Sequence, residues 1–231
     1  MMIFNNSIKQ FDSLSSFWKH LLEDRASLYI IILAIFYLVG IIGFVFSIHP
    51  DFVLLTPFQL LLSSALMLLA HPKWNQNLTR FIIICFLVGF GAEVFGVQTG
   101  ILFGNYEYGR VLGFKLWETP LMIGVNWVLL AYSAGMLVNW AFTKWHWLFK
   151  TIMAAALMVL LDVLIEPVAV EYNFWTWATS EIPLQNYFGW FLVSLIVLSF
   201  FFRLLGNEQN KVGRALFILQ ILFFLIIGWT I

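Results

Sequence analysis

Three carboxylates stand where lipid would be. Glu93, Asp162 and Glu166 each sit inside a long apolar run, at a depth where a carboxyl costs at least about 2.5–3.5 kcal/mol on insertion scales, so they are read first as functional. Asp162 and Glu166 are four residues apart, which puts both on one helix face. A close pair of this kind can supply general acid–base chemistry, one carboxyl giving a proton and the other taking one. Pro167 follows directly. It removes a backbone donor, frees the Val163 carbonyl and should turn Glu166 out of helical geometry. Asn126 and Trp127 lie about two turns down a neighbouring span, where Asn126 could bridge to a carboxyl or orient a water. The competing reading is that these polar groups only glue helices together.

Absent motifs narrow the chemistry. The histidines, His20, His49, His71 and His146, fall outside the apolar runs, and no HExxH or His-rich cluster offers a zinc or di-iron site. Gly-rich phosphate loops and DDxxD-like magnesium motifs are missing, and the last span has no lysine for retinal. Cys85 is the sole cysteine, which excludes a disulfide scaffold and a thiolate metal cluster. What remains is carboxylates, amides and aromatics in an apolar setting. That inventory suits proton chemistry on a greasy substrate, with no cofactor and no metal.

The elements that must hold these groups are membrane helices. Of 231 residues 62% are hydrophobic, 19% aromatic and only 10% charged, with twelve basic residues balancing twelve acidic ones. Soluble domains carry about 25% charged residues, and a nucleic-acid binder needs a basic surplus, so both are excluded. Seven stretches approach the roughly 20 apolar residues needed to span a bilayer: Ser27–Ile48, Phe52–Ala70, Phe81–Thr99, Pro120–Ala141, Leu148–Val170, Tyr187–Arg203 and Gly213–Ile231. Pro57 should kink or shorten the second. With the N-terminus inside, Lys9, Lys19, Arg25, Lys73, Arg80, Lys144, Lys150, Arg203, Lys211 and Arg214 fall on the cytoplasmic side, against Arg110 and Lys115 outside. The fold expected is therefore an all-α polytopic membrane helix bundle of about seven transmembrane helices, N-in/C-out. Residues 1–26 form an N-terminal interfacial amphipathic helix, with Ile8, Phe11, Leu14, Trp18 and Leu21 at helical spacing. Residues 27–231 form a single transmembrane domain.

In this topology all three acids share one depth band, roughly 6–12 Å below the outer helix ends at 1.5 Å per residue. The outer half holds eight acids (Asp51, Glu93, Glu107, Glu118, Asp162, Glu166, Glu171 and Glu181). Zero net charge thus conceals a segregation. The outer loops mix Gly, Asn, Glu and Pro with dense aromatics, from Gly100 through Tyr106, Tyr108 and Trp117 to Pro120, and from Glu171 through Trp175 and Trp177 to Asn186 and Trp190. They are expected to fold back over a pocket rather than serve only as an interfacial belt.

The stretch Glu93-x-x-Gly96-x-x-Thr99-Gly100-x-x-Phe103-Gly104-x-Tyr106-x-Tyr108 resembles the signature of the membrane carotenoid biosynthesis family, whose best-characterised members are CruF-type carotenoid 1,2-hydratases. Asp162-Val-Leu-Ile-Glu166-Pro167 is similar to a second family block, and Trp175-x-Trp177 followed by Ile182-Pro183-Leu-Gln-Asn186-Tyr-Phe-Gly189-Trp190 to a third. The second span matches no motif, and Lys115-Leu-Trp117-Glu118-Thr-Pro120 departs from the more apolar approach expected before the fourth span.

The resemblance implies addition of water across the terminal C1–C2 double bond of a linear, ψ-ended carotenoid, giving a tertiary 1-hydroxy group. Glu93, Asp162 and Glu166 would be catalytic. Asp162 or Glu166 would protonate C2, and Glu93 with Asn126 or Asn186 would position water. Tyr106, Trp175 and Trp177 would line the cation site, with Trp127, Tyr108 and Trp190 also placed among the substrate- and water-positioning groups. The partners implied are a hydrophobic polyene, membrane lipid and other carotenoid-pathway enzymes, and the location is the cytoplasmic membrane. The residues leave open an end-group cyclase or isomerase using the same cation, a non-catalytic carotenoid-binding or assembly protein, and a proton-coupled transporter.

Overall fold

The computed structural model describes residues 24–179 and 181–231; the expected N-terminal amphipathic helix lies outside them. Among the described residues, seven helical segments are long and apolar enough to cross a membrane, and the protein is a multi-pass membrane protein. The helices are α1 (Arg25–Val45), α2 (Thr56–Leu69), α3 (Gln76–Thr99), α4 (Leu121–Ala141), α5 (Trp147–Glu171), α6 (Leu184–Leu204) and α7 (Lys211–Thr230). A 3-10 turn, Pro50–Leu55, leads into α2 and extends the second span to Pro50–Leu69.

Local chemistry explains the starts. Asp24 accepts from the Ala26 amide at α1, Asn75 from Leu78 at α3, and Asn210 from Val212 and Gly213 at α7. Pro57 falls in the first turn of α2, where its missing N–H costs nothing, so it starts the helix instead of kinking it, and the α-helical part of the second span is a turn shorter than the apolar run. Pro167 departs from expectation. The helix α5 runs through Pro167 to Glu171, so Glu166 keeps helical geometry.

The axis of the bundle is α4. Fourteen of its residues are buried, against four in α1, and it packs on α2, α3, α5, α6 and α7. The least buried spans are α1 and the one containing α2, and α1 leans chiefly on α7. This asymmetry puts the residues of α3, α4, α5 and α6 face to face, with α1, α2 and α7 closing the other flank.

The loops at the end carrying Gly100 and Tyr172 do fold back, and they do it as strands. Strand β1 (Tyr106–Tyr108) pairs antiparallel with β4 (Trp175–Trp177) in the register Tyr106↔Trp177, Glu107↔Thr176, Tyr108↔Trp175. Strand alternation sends the four aromatics to the inner face and leaves Glu107 and Thr176 exposed. Between them β2 (Lys115–Leu116) and β3 (Thr119–Pro120) form a hairpin. Its two-residue turn, Trp117–Glu118, has φ of 51° and 61°, the left-handed pair of a type I′ turn. Thus the Lys115–Pro120 segment is a hairpin, and its Lys115 Nζ donates to the Tyr108 carbonyl, tying the hairpin to β1.

Candidate active site

Each of the three carboxylates is held by groups from different elements. Glu93 on α3 accepts the Tyr106 and Tyr108 hydroxyls on Oε2, both at 2.7 Å, and the Trp127 indole N–H on Oε1 at 3.0 Å. Hydrogen bonds to a carboxylate are the strong kind, about 1.5–3 kcal/mol each. Burial, and then the neighbouring Glu93 charge, push both phenols far above the usual tyrosine range. They stay protonated donors.

Asp162 and Glu166 share one amide. Asn186 Nδ2 on α6 donates to Asp162 Oδ2 at 2.9 Å and to Glu166 Oε1 at 3.0 Å. Glu166 Oε2 then accepts two indole N–H groups, Trp175 at 3.1 Å and Trp177 at 3.0 Å. Glu93, Asp162, Glu166 and Asn186 are all buried to within 3% of full coverage. Asp162 Oδ1 alone among the three carboxyls' oxygens is buried with no hydrogen-bond partner among the described residues.

Trp175 and Trp177 line the chamber with Tyr106, as expected of the residues around it. Their N–H groups also donate to Glu166, and their rings meet the tyrosines at an angle: Trp177 is tilted to Tyr106 at 5.1 Å and Trp175 lies edge-on to Tyr108 at 6.0 Å between centroids. Behind Glu93, Trp127 stacks on Trp190 at 4.3 Å and 16°. Gly89 permits this approach of α3 to α4, since a Cβ there would lie 2.3 Å from Trp127 Cγ.

Two neighbouring cavities share part of their lining at these residues. The smaller, about 30 Å³, is lined by the three acids, Asn126, Asn186, Tyr106, Tyr108, Trp175, Trp177 and Trp190. That is room for a water molecule or two and little more. The larger, about 310 Å³, is walled mainly by apolar side chains of α1, α2, α5 and α7. Ile123, Asn126, Ile165 and Trp175 line both. Every expected site residue lines the small chamber except Trp127, which stands behind Glu93. Among the described residues, no group of three or more His, Cys, Asp or Glu could hold a metal ion. Sequence reasoning missed Ile123 and Ile165, whose aliphatic type carries no signal, and Gln220, a polar residue in mid-span on α7 that lines the larger cavity.

A family model for carotenoid biosynthesis proteins matches residues 53–231. The chain belongs to this family. The match takes in the second half of the 3-10 turn and all helices from α2 onward, hence every residue of the acid chamber. Among curated proteins the chain is similar to the bisanhydrobacterioruberin hydratase of Haloarcula japonica, 27% identical over 219 residues that cover 86% of this chain and 72% of that protein. No solved structure matches the chain significantly. Membership of the carotenoid biosynthesis family accords with an apolar cavity lying beside a chamber lined by carboxylates.

Proposed function

We propose that this protein is a carotenoid hydratase, adding water to the terminal C1–C2 double bond of a linear carotenoid to give a 1-hydroxy product. The observation that carries the reading is the adjacent pair of cavities: a water-sized chamber ringed by three carboxylates, sharing Ile123, Asn126, Ile165 and Trp175 with an apolar chamber able to take an isoprenoid end. The relative's name, a hydratase, supports the same reaction class.

Asp162 is the proton donor in this reading, because its Oδ1 has no hydrogen-bond partner among the described residues, whereas both oxygens of Glu93 and of Glu166 are engaged. Its proton adds to C2, the double bond's electron pair forms the new C–H bond, and C1 becomes a tertiary cation. Water held between the carboxyls and Asn126 attacks C1. Glu166, four residues along the same helix face, takes the proton that the water loses. Passing that proton back to Asp162 resets the pair, with Asn186 keeping both carboxyls in register. Glu93, bound by three donors, stays in place as a fixed negative group facing the cation, and preorganisation of this kind costs nothing during reaction. No step asks for a cofactor.

The orientation proposed is N-in/C-out in the cytoplasmic membrane, from the excess of basic residues at the other end of the bundle, with residues 27–231 as one transmembrane domain. The acid chamber then lies near the outer surface, and other pathway enzymes are candidate neighbours.

Expression in cells that accumulate lycopene tests the reaction. Pigments one or two waters heavier are expected. Unaltered lycopene, with the protein verified in the membrane, would refute hydration, and a product of unchanged mass would point to cyclisation or isomerisation.

A further inference from the structure

The larger cavity is too short to hold a whole linear carotenoid. Its lining on α1 runs from Phe36 to Phe44, which at 1.5 Å per residue is about 12 Å along the helix axis. A linear carotenoid is roughly as long as the hydrocarbon core is thick, about 30 Å. A chain held by one end in this cavity must therefore leave it, and the walls decide where. The lining residues of α4, α5 and α7, and the roof of Leu112, Phe174 and Trp175, are buried or half-buried. The exposed ones are Phe36 and Val39 of α1, Leu55 of the 3-10 turn and Phe58 of α2, at between 38% and 59% of their surface. All four lie within the first two spans, so what they face is lipid.

The seam between those spans is also lightly packed, since α1 leans on α7 far more than on α2. Two ring contacts bridge it. Phe44 meets Phe52 edge-on at 5.8 Å, where Gly43 makes room for the Phe52 ring, and Phe36 meets Phe58 at 6.4 Å. Along both spans Val39 and Leu55 fall between these bridges. No charged side chain among the described residues lines the cavity, which suits a hydrocarbon chain. We propose that the polyene threads between α1 and the second span at Val39 and Leu55, with one end group in the larger cavity and the rest of the chain in the bilayer. Substrate then enters and product leaves sideways through lipid, and the seam stays parted for as long as a polyene is bound.

The inference takes from the hydratase reading only that an end group occupies the larger cavity, so equilibrium binding tests it apart from turnover. The full-length protein in lipid nanodiscs is titrated with lycopene, followed by polyene absorption. It is titrated in parallel with 2,6-dimethylocta-2,6-diene, a short chain with the same end, followed by the rise in melting temperature. Val39→Trp and Leu55→Trp fill the seam. Each is expected to weaken lycopene about tenfold or more, while the short diene, which needs no exit, binds as to wild type. Leu38→Trp and Leu61→Trp, exposed on the same two helices but off the cavity, should leave both ligands unchanged. Undiminished lycopene binding by both seam variants, an equal loss in the controls, or loss of the short diene along with lycopene overturns the threading. If the seam variants do not accumulate, a nitroxide on Val39→Cys decides, since the native Cys85 is buried. Its motion is expected to slow when lycopene is added, whereas a label on Leu38→Cys is unaffected. A Val39→Cys label indifferent to lycopene overturns the threading, and one already slowed by nanodisc lipid assigns the seam to an acyl chain instead. Threading without any water-bearing product refutes the hydratase reading alone, and hydration with binding unchanged in the seam variants refutes the threading alone.

Discussion

Substituting Gly89 by alanine places a methyl group where no room exists. Its Cβ would lie 2.3 Å from Trp127 Cγ, 2.5 Å from Cβ and 2.8 Å from Cδ1. These atoms sit at the root of the indole, so no rotation relieves the overlap, and the α3–α4 contact must open by about 1 Å to reach ordinary van der Waals distance. Trp127 is clamped on its other face by Trp190. The movement therefore comes out of the 3.0 Å hydrogen bond to Glu93. Overpacking of this kind costs about 1–3 kcal/mol, and losing a hydrogen bond to a carboxylate about 1.5–3 kcal/mol. If the second cost reaches the transition state, turnover falls by about one to two orders of magnitude. The matched control is Gly91→Ala, two residues along, where a Cβ meets nothing within 4 Å. It should gain about 0.5–1 kcal/mol of stability from helix propensity and leave turnover alone. The assay is pigment conversion in lycopene-accumulating cells, normalised to membrane protein level, with thermal melting of both variants. Wild-type turnover in Gly89→Ala, or an equal loss in Gly91→Ala, would refute the argument that Trp127 is held against Glu93 by this close approach.

Trp175→Phe and Trp177→Phe keep an aromatic face but remove the N–H that binds Glu166. Each should cut turnover about tenfold or more without emptying the membrane of protein, and full activity in the double variant would show that the N–H bonds to Glu166 are not needed. His71 gives a pH dependence at the opposite end of the bundle. There Asn210 donates to the Tyr132 hydroxyl, and neutral His71 accepts from that hydroxyl and donates to Glu208. Burial holds the imidazole below its ordinary value, outweighing the Glu208 charge. A depressed histidine contributes stability that is complete above about pH 6.5. That contribution is lost as pH falls through the folded-state value, because the unfolded chain binds the proton first. The melting temperature should therefore drop between pH 7.5 and 5, and His71→Gln should flatten the drop; an unchanged slope would contradict the neutral assignment.

How much of this was legible in the sequence differs residue by residue. Span positions were, because 20-residue apolar runs leave little choice in lipid, and Pro57 only shifted from a kink to a helix start. The gathering of Glu93, Asp162 and Glu166 was legible as a shared depth, since rise per residue and topology give depth directly. Their hydrogen-bond partners were not. The β1–β4 pairing joins three-residue strands about seventy residues apart in sequence, too short for periodicity to register. Without that register, nothing indicates that Trp175 and Trp177 turn their N–H groups to Glu166. Nor does sequence alone show that one Asn186 amide serves two acids across α5 and α6. Gln220 was within reach, because an amide in mid-span breaks the same rule that singled out the carboxylates, but it was passed over for lack of a charge.

The central claim is that the acid chamber adds water to the polyene, and the direct measurement is product mass in oxygen-18-labelled water. Membranes carrying the wild-type chain and the Asp162→Asn variant would each be supplied with the linear carotenoid. The account predicts a wild-type product heavier than substrate by one labelled water per reacted end, and at least a hundredfold less of it from Asp162→Asn at equal protein level. A product with the mass of the substrate, or undiminished labelling by the Asp162→Asn variant, would contradict it.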